Sequence, residues 1–139
     1  MAYVIGIVLA LSVSAYATAL GLDRDRAFYP TVLIVIASYY VLFAVMGGSR
    51  HALAVESLVL GVFVVAASLG FRGSLWLVVA ALAAHGVLDV FHGRLVTNPG
   101  VPAWWPAFCL TYDLAAAAYL AGRLRVGSGQ RVATGAEAL

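Results

Sequence analysis

Three polar residues, His85, Asp89 and His92, stand on one predicted helix within an otherwise apolar stretch of the sequence. At about 100° per residue these positions fall within about 60° of one another, so they form one polar stripe. The i,i+4 spacing of His85 and Asp89 is typical of metal-ligand pairs on helices. The i,i+3 spacing of Asp89 and His92 resembles the pairs in carboxylate-bridged metal bundles. The stripe therefore predicts a site for a metal ion or for acid–base chemistry.

Two more acids, Glu56 and Asp113, lie inside other apolar runs of the chain. A charge at the middle of a bilayer costs roughly 3 kcal/mol on the insertion scale, so embedded acids are expected to pair, to protonate or to bind a ligand. Counted inward at about 1.5 Å per residue, both acids reach a depth similar to that of the stripe. We therefore expect both acids to share one polar site with the stripe, in the outer half of the bilayer.

The expected ligands of a divalent, zinc-like ion are imidazoles and carboxylates: His85, Asp89, His92, Glu56 and Asp113. Such an ion activates water, and a carboxylate that is not a ligand can act as general base. The candidates for catalytic roles are Asp89, Glu56 and Asp113. The two histidines are about 10.5 Å apart along the helix axis, so one ion is not expected to bind both.

Neighbouring residues of the site are assigned simpler roles. Cys109 lies one turn before Asp113, but a buried free cysteine is more often a packing residue than a ligand. Tyr39 and Tyr40 are expected to pack or to lie at the membrane interface. Tyr112 is the tyrosine expected to touch the site.

The composition places these residues in a membrane. Of the 139 residues, 64% are hydrophobic and 10% are charged, whereas soluble domains are about half apolar and a quarter charged. The formal net charge of +2 is too small to favour a nucleic-acid partner. The single cysteine excludes an internal disulfide.

Polar and turn-forming breaks divide the chain into five apolar runs, each close to the roughly 20 residues that a membrane-spanning helix needs. The runs are 3–22, 27–46, 51–69, 74–96 and 103–124. They lack the alternation of barrel strands, which favours helices. We therefore predict an all-α fold, a polytopic transmembrane bundle of about five helices over residues 1–124, followed by a flexible cytoplasmic tail over 125–139.

Small residues at four-residue spacing predict where these helices approach closely. Gly6, Ala10 and Ser14 form such a stripe on the first helix. Ser57 and Gly61 form a shorter one on the third helix.

The distribution of arginines predicts the orientation. With five spans, one side of the membrane holds six of the eight basic residues, namely Arg24, Arg26, Arg72, Arg123, Arg125 and Arg131. The other side holds Arg50 and Arg94. We therefore expect the N-terminus outside and the C-terminus in the cytoplasm.

Three spaced motifs carry a family resemblance, and they cover about residues 85–113. They are His85-x3-Asp89-x2-His92, Asn98-Pro99-x2-Pro102 and Cys109-x3-Asp113. Together they resemble the C-terminal signature of a family of small bacterial multi-span membrane proteins. The resemblance implies a helical protein of the bacterial inner (plasma) membrane in which these positions act together. It implies no particular activity.

A weaker, chemical similarity links the polar set to intramembrane metal-dependent hydrolases. Examples are the alkaline ceramidase and adiponectin-receptor superfamily and the CAAX-protease-like family, which hold a zinc ion with histidines and acids. This chain has fewer spans, no His-x3-His pair and no paired-glutamate-plus-arginine motif. The similarity implies a type of chemistry and not a shared mechanism.

These observations leave several functions open. The leading hypothesis is an intramembrane metalloprotein, in particular a hydrolase-type enzyme that acts on a lipid-like substrate. The alternatives are a proton- or cation-translocating protein that uses the same acids and histidines as a relay, and a metal-free isomerase or cyclase. Two histidines on one helix face cannot clamp a haem from opposite sides, which disfavours a b-type haem protein. A chain this short could also form a homo-oligomer to enclose a cavity.

Overall fold

A computed structural model describes the backbone of residues 1–136 and the side chains of residues 1–127, and it shows an all-helical bundle. The helices are α1 (Ala2–Leu20), α2 (Phe28–Met46), α3 (Arg50–Arg72), α4 (Leu75–Leu95) and α5 (Trp105–Ala136). Ser49 and Ser74 cap α3 and α4 by accepting hydrogen bonds from backbone amides, as N-cap residues commonly do. The predicted fold class is therefore confirmed.

Four helices, α1 to α4, are long and apolar enough to cross a membrane. Among the described residues, α5 does not meet the same measure of length and hydropathy. Its face towards the bundle carries the buried Cys109 and Asp113 together with three buried apolar residues, Ala116, Ala117 and Leu120. The membrane-helix character of the chain is thus confirmed for four helices, and α5 as a fifth span stays a prediction.

The C-terminal end of α5 lies beyond the last apolar run, which we expected to end at about Leu124, because the backbone is helical through Ala136. The flexible cytoplasmic tail over 125–139 stays a prediction. Arg125 lies over the indole ring of Trp76 on α4, with 5.9 Å between the guanidinium carbon and the ring centre. This cation–π contact holds the first residue of the expected tail against the bundle. Residues 137–139 lie outside the described residues.

The five helices form a curved row. α5 packs against both α1 and α4, α4 also packs against α3, and α3 packs against α2. The row curves back on itself because Tyr39 of α2 contacts Trp105 at the start of α5, with ring centres 4.9 Å apart. This curvature brings polar side chains of α2, α3, α4 and α5 to one interior.

Close helix contacts occur where glycine removes a side chain. A Cβ on Gly6 would overlap the backbone of Phe108, so the predicted stripe on α1 does face α5. The stripe predicted on α3 is wrong, because Gly61 has no atom within 4 Å of its Cβ position and Ser57 is exposed. The close approach on α3 occurs instead at Gly70, where a Cβ would lie 2.5 Å from a methyl group of Val78.

The two ends of the bundle differ in chemistry. At one end, called the Arg26 end, Arg26 donates a hydrogen bond of 2.7 Å to the carbonyl of Gly73, and Arg123 lies 3.4 Å from Asp23. The opposite end, called the Asn98 end, holds the loops 47–49 and 96–104. Apolar side chains fill the interior of the half nearer the Arg26 end, among them Leu33, Val78, Leu82 and Leu120. The buried acids and histidines therefore occupy the half nearer the Asn98 end.

Candidate metal centre

All three polar residues of the predicted stripe on α4 point into the protein. His85, Asp89 and His92 are each no more than 4% exposed. Between them, Gly86 lets α5 approach, because a Cβ at this position would lie 3.1 Å from the carbonyl oxygen of Leu110 and 3.2 Å from the Cβ of Asp113. The close crossing brings the polar face of α5 onto the polar face of α4.

One group of side chains forms at this crossing. The Nδ1 atom of His85 lies 2.7 Å from Oδ2 of Asp113 and 3.6 Å from Oδ2 of Asp89. One ligand atom from each of these residues and the sulfur of Cys109 all lie within 4.8 Å of one another, and all four residues are buried. We call His85, Asp89, Cys109 and Asp113 the four-residue cluster.

The donor atoms of the four-residue cluster are of the kinds that hold metal ions in proteins. Zinc binds imidazole nitrogen, carboxylate oxygen and thiolate sulfur, and its bond lengths of about 2.0–2.3 Å place tetrahedral ligands about 3.3–3.8 Å apart. The observed spread is wider than that by about 1 Å at most, which small side-chain rotations can close. Moreover, Oδ2 of Asp89 and Oδ1 of Asp113 are buried and have no hydrogen-bond partner among the described residues. The residues therefore fit a bound cation.

The balance of charges in the interior also favours a bound cation. The chain contains no lysine, and the seven arginines whose side chains are described are all exposed. His85 is thus the only basic side chain within the four-residue cluster, where it faces two carboxylates. Buried carboxylates are costly unless they are paired and hydrogen-bonded. A divalent cation would supply the positive charge that His85 alone does not.

A second polar group lies closer to the Asn98 end. The Nε2 atom of His92 is 2.7 Å from Oε1 of Glu56, and we call these residues the Glu56–His92 pair. The side-chain amide of Asn98 donates to the same carboxylate oxygen at 3.0 Å and to the carbonyl of Tyr40 at 3.0 Å. The loop after α4 therefore fixes the pair in place.

Tyr40 connects the two groups. Its hydroxyl donates a hydrogen bond of 2.5 Å to Oδ1 of Asp89, and its ring stacks on the imidazole of His92 with centres 4.1 Å apart. We expected Tyr40 to pack and Tyr112 to touch the site, whereas the structure gives the polar contact to Tyr40. The ring of Phe63 stands edge-on to His85, with centres 4.8 Å apart, and closes the site on the side of α3.

The structure thus divides the predicted set of ligands. His85, Asp89 and Asp113 meet as expected, but Glu56 and His92 bond to each other and not to these residues. Cys109, which we assigned to packing, takes a place in the four-residue cluster. Its i,i+4 spacing from Asp113 was the available signal for that role, since such residues share a helix face.

Comparisons with known proteins identify no family for the chain. No family model, no curated protein and no solved structure matches it. The resemblance carried by the three motifs therefore stays a prediction. Function has to be argued from the chemistry of the site, because a fold alone does not specify it.

Proposed function

We propose that this protein is an intramembrane metalloenzyme of the hydrolase type that acts on a lipid-like substrate. In this proposal the four-residue cluster binds one divalent, zinc-like ion. The observation that carries the proposal is the convergence of four buried ligand atoms within 4.8 Å, two of them on acids that keep a carboxylate oxygen without a hydrogen bond. Intramembrane ionisable groups mark functional sites by default, because burying them is costly.

Two contacts of the four-residue cluster prepare the site for the ion in this proposal. The contact between His85 and Asp113 holds two ligand atoms together before an ion arrives. The hydroxyl of Tyr40 fixes one oxygen of Asp89 and leaves the other for the ion. When bound, a zinc-like ion supplies Lewis-acid chemistry and makes water a nucleophile near neutral pH.

The Glu56–His92 pair is assigned the proton transfers. With Asp89 and Asp113 used as ligands, Glu56 is the remaining buried carboxylate of the site, and it orients the imidazole of His92 through their 2.7 Å contact. A carboxylate that orients a histidine is a common arrangement of a general base. This assignment moves Glu56 and His92 from the expected ligand set to acid–base work.

The surroundings of the site favour a lipid-like substrate. The four-residue cluster lies at the crossing of α4 and α5 within a bundle in which α1 to α4 are apolar enough to span a membrane. In the proposal, the hydrocarbon of the bilayer surrounds this bundle. A cavity of about 300 Å³ at the Asn98 end, lined by His92, Asn98 and Pro106 among others, offers water a route to the Glu56–His92 pair. The proposal also keeps three expectations from the sequence. The protein lies in the bacterial inner membrane, its N-terminus is outside, and it forms a homo-oligomer.

Metal analysis of the purified full-length protein tests the central claim. We expect about one divalent ion per chain, and we expect Asp89→Asn and Cys109→Ala each to reduce metal occupancy about tenfold or more, since each removes a ligand. Asp23→Asn is the matched control, because Asp23 lies at the Arg26 end beside Arg123 and should not affect occupancy. A protein supplied with zinc, manganese and iron that still holds no stoichiometric metal would overturn the proposal.

Hydrolytic activity is tested separately on the metal-loaded protein. Ester- and amide-linked lipids in mixed micelles should be cleaved by the wild type, and cleavage should stop when a chelator removes the ion. Cleavage that continues in chelator would contradict the metal mechanism and favour the metal-free acid–base alternative. His92→Gln should lower the rate while metal occupancy stays unchanged, because we place His92 outside the ligand set.

A further inference from the structure

A second feature beside the four-residue cluster is an apolar cavity of about 400 Å³ between α1, α2 and α5. We call it the lateral groove. Its α2 wall is a single helix face, formed by residues 28, 31, 32, 35, 36 and 39. Leu9 of α1 and Phe108 of α5 contribute to the other walls. Its volume lies within the range of about 300–1,000 Å³ that is typical of ligand sites.

The lateral groove is reached from the hydrocarbon of the bilayer. α1 packs against α5 and α2 packs against α3, so the groove lies where the curved row of helices is open. Leu9 and Val35 on its walls are 44% and 47% exposed. In a membrane, these side chains face lipid chains and not water. A ligand that enters here comes from the bilayer itself.

The dimensions of the groove suit one extended chain. From Phe28 to Tyr39 it follows α2 for eleven residues, or about 16 Å at 1.5 Å per residue. That length is about half of the roughly 30 Å hydrocarbon core, which is the length of the chains in one leaflet. Phe28 is the first residue of α2 and lies at the Arg26 end. This end of the groove is therefore distant from the four-residue cluster, which lies in the half nearer the Asn98 end.

The near end of the groove contains the polar features. Cys109 is both a wall residue of the groove and a member of the four-residue cluster. Trp105 also lines the groove, and its Nε1 atom is buried without a hydrogen-bond partner among the described residues. A buried indole N–H usually has an acceptor, and a rotation of the indole ring towards the groove would let the carbonyl oxygen of an ester or a similar group provide one.

We infer that the lateral groove binds the acyl chain of a membrane lipid, with the carbonyl end at Trp105 and Cys109 and the methyl end near Phe28. The chain enters sideways between α1 and α2, and the groove places its carbonyl carbon beside the four-residue cluster. This inference names the substrate class of the proposed hydrolase, and it rests on that proposal for what happens to the carbonyl group. The binding itself requires only the groove.

Photolabelling of the full-length protein in phosphatidylcholine vesicles tests the inference. Two phosphatidylcholine probes are compared, one with a diazirine beside the acyl carbonyl and one with a diazirine at the chain end. We expect the first to label residues near Trp105 and Cys109, and the second to label residues near Phe28. A lipid of the surrounding bilayer would leave its chain end near the middle of the membrane, so labelling near Phe28 is specific to a chain in the groove.

A pair of substitutions on α2 provides the control. Val35→Trp places an indole ring on the middle of the α2 wall and should reduce both labels about tenfold or more, because the ring obstructs the path of a chain along the groove. Val45→Trp makes the same change at a position that is 59% exposed and does not line the groove, and it should leave both labels unchanged. Equal labelling in both variants, or labelling spread evenly over the exposed positions of α3, would overturn the inference.

The outcomes for the groove and for the metal are separable, because metal content is measured on the same samples. If the wild-type protein holds its ion but shows no labels near Trp105, Cys109 and Phe28, the groove assignment alone is overturned. If the protein shows these labels but holds no metal, the metal proposal alone is overturned. Preferential labelling by an isoprenoid-alcohol probe that competes out the acyl probe would also overturn the acyl assignment.

Discussion

At the residue scale, Tyr40 makes three contacts with the polar groups of the site, although we expected it only to pack or to lie at the membrane interface. Its hydroxyl bonds to Asp89, its ring stacks on His92, and its backbone carbonyl accepts from Asn98. The sequence offers no signal that distinguishes Tyr40 from Tyr39. The two residues are adjacent, and tyrosine occurs both in the interior of a protein and at a membrane interface. Only the rotation of α2 against α4 decides which of the two faces the interior.

The substitution Tyr40→Phe tests this residue. It removes the donor to Oδ1 of Asp89 and leaves a buried carboxylate oxygen unsatisfied, which costs about 1–3 kcal/mol of stability. Loss of a group that orients a metal ligand also typically lowers metal affinity by about 10–100-fold. Thermal unfolding in detergent and competition with a chelator measure the two effects.

Tyr39→Phe is the matched control for that experiment. Tyr39 is 37% exposed, and its ring contacts Phe43 and Trp105 without any role in the polar groups of the site. We expect its loss of a hydroxyl to leave metal affinity unchanged. Equal metal affinities of the two variants would show that Tyr40 does not position Asp89.

At the element scale, the distance between α4 and α5 sets the geometry of the four-residue cluster. His85 and Asp89 come from α4, whereas Cys109 and Asp113 come from α5, and Gly86 lies at the crossing. The sequence predicted which residues of each helix share a face, since helical periodicity fixes that. It did not predict how closely the two helices approach, because small-residue spacing also occurs on faces towards lipid, as at Ser57 and Gly61.

The substitution Gly86→Leu should therefore disrupt the cluster without changing any ligand. Its side chain would meet the carbonyl of Leu110 and the Cβ of Asp113, and overpacking of this kind costs about 1–3 kcal/mol. Separation of α4 from α5 should lengthen the contact between His85 and Asp113 and lower metal occupancy. Metal analysis and thermal unfolding of the purified variant measure both results.

Gly61→Leu makes the same change on α3, where the Cβ position has no neighbour within 4 Å. Surface substitutions of this kind usually change stability by no more than about 0.5 kcal/mol. The variant should therefore keep its metal and its melting temperature. If Gly86→Leu behaved in the same way, close packing at the crossing would not be what forms the cluster.

At the scale of the whole molecule, the sequence predicted the helices and the half of the bundle that holds the polar site. Composition and run length determine those features, and the first four runs match the helices to within three residues at each end. The division of the polar residues into the four-residue cluster and the Glu56–His92 pair was not predictable. It depends on the rotation of each helix about its axis, which apolar runs without a polar face do not specify.

The distribution of polar and apolar residues along the bundle also bears on the choice between the enzyme proposal and a proton relay. The polar contacts run from Asn98 through the Glu56–His92 pair and Tyr40 to the four-residue cluster. Beyond the cluster, the buried side chains include Leu33, Val78 and Leu82, which are 0% exposed, and none of the buried acids and histidines of the described residues lies there. A proton relay across a membrane needs a continuous series of polar groups or water, and among the described buried residues of this section only Ser14 and Tyr29 are polar.

We therefore expect no proton conduction through the wild-type protein. Proteoliposomes that contain a pH-sensitive dye and receive an acid pulse should acidify at the rate of protein-free vesicles, whereas vesicles with a known proton channel provide the positive control. The expectation follows from the apolar section, since the energy cost of a charge among buried leucines is several kcal/mol. Rapid acidification that Asp89→Asn abolishes and Asp23→Asn does not would support translocation, and it would replace the enzyme proposal with the relay.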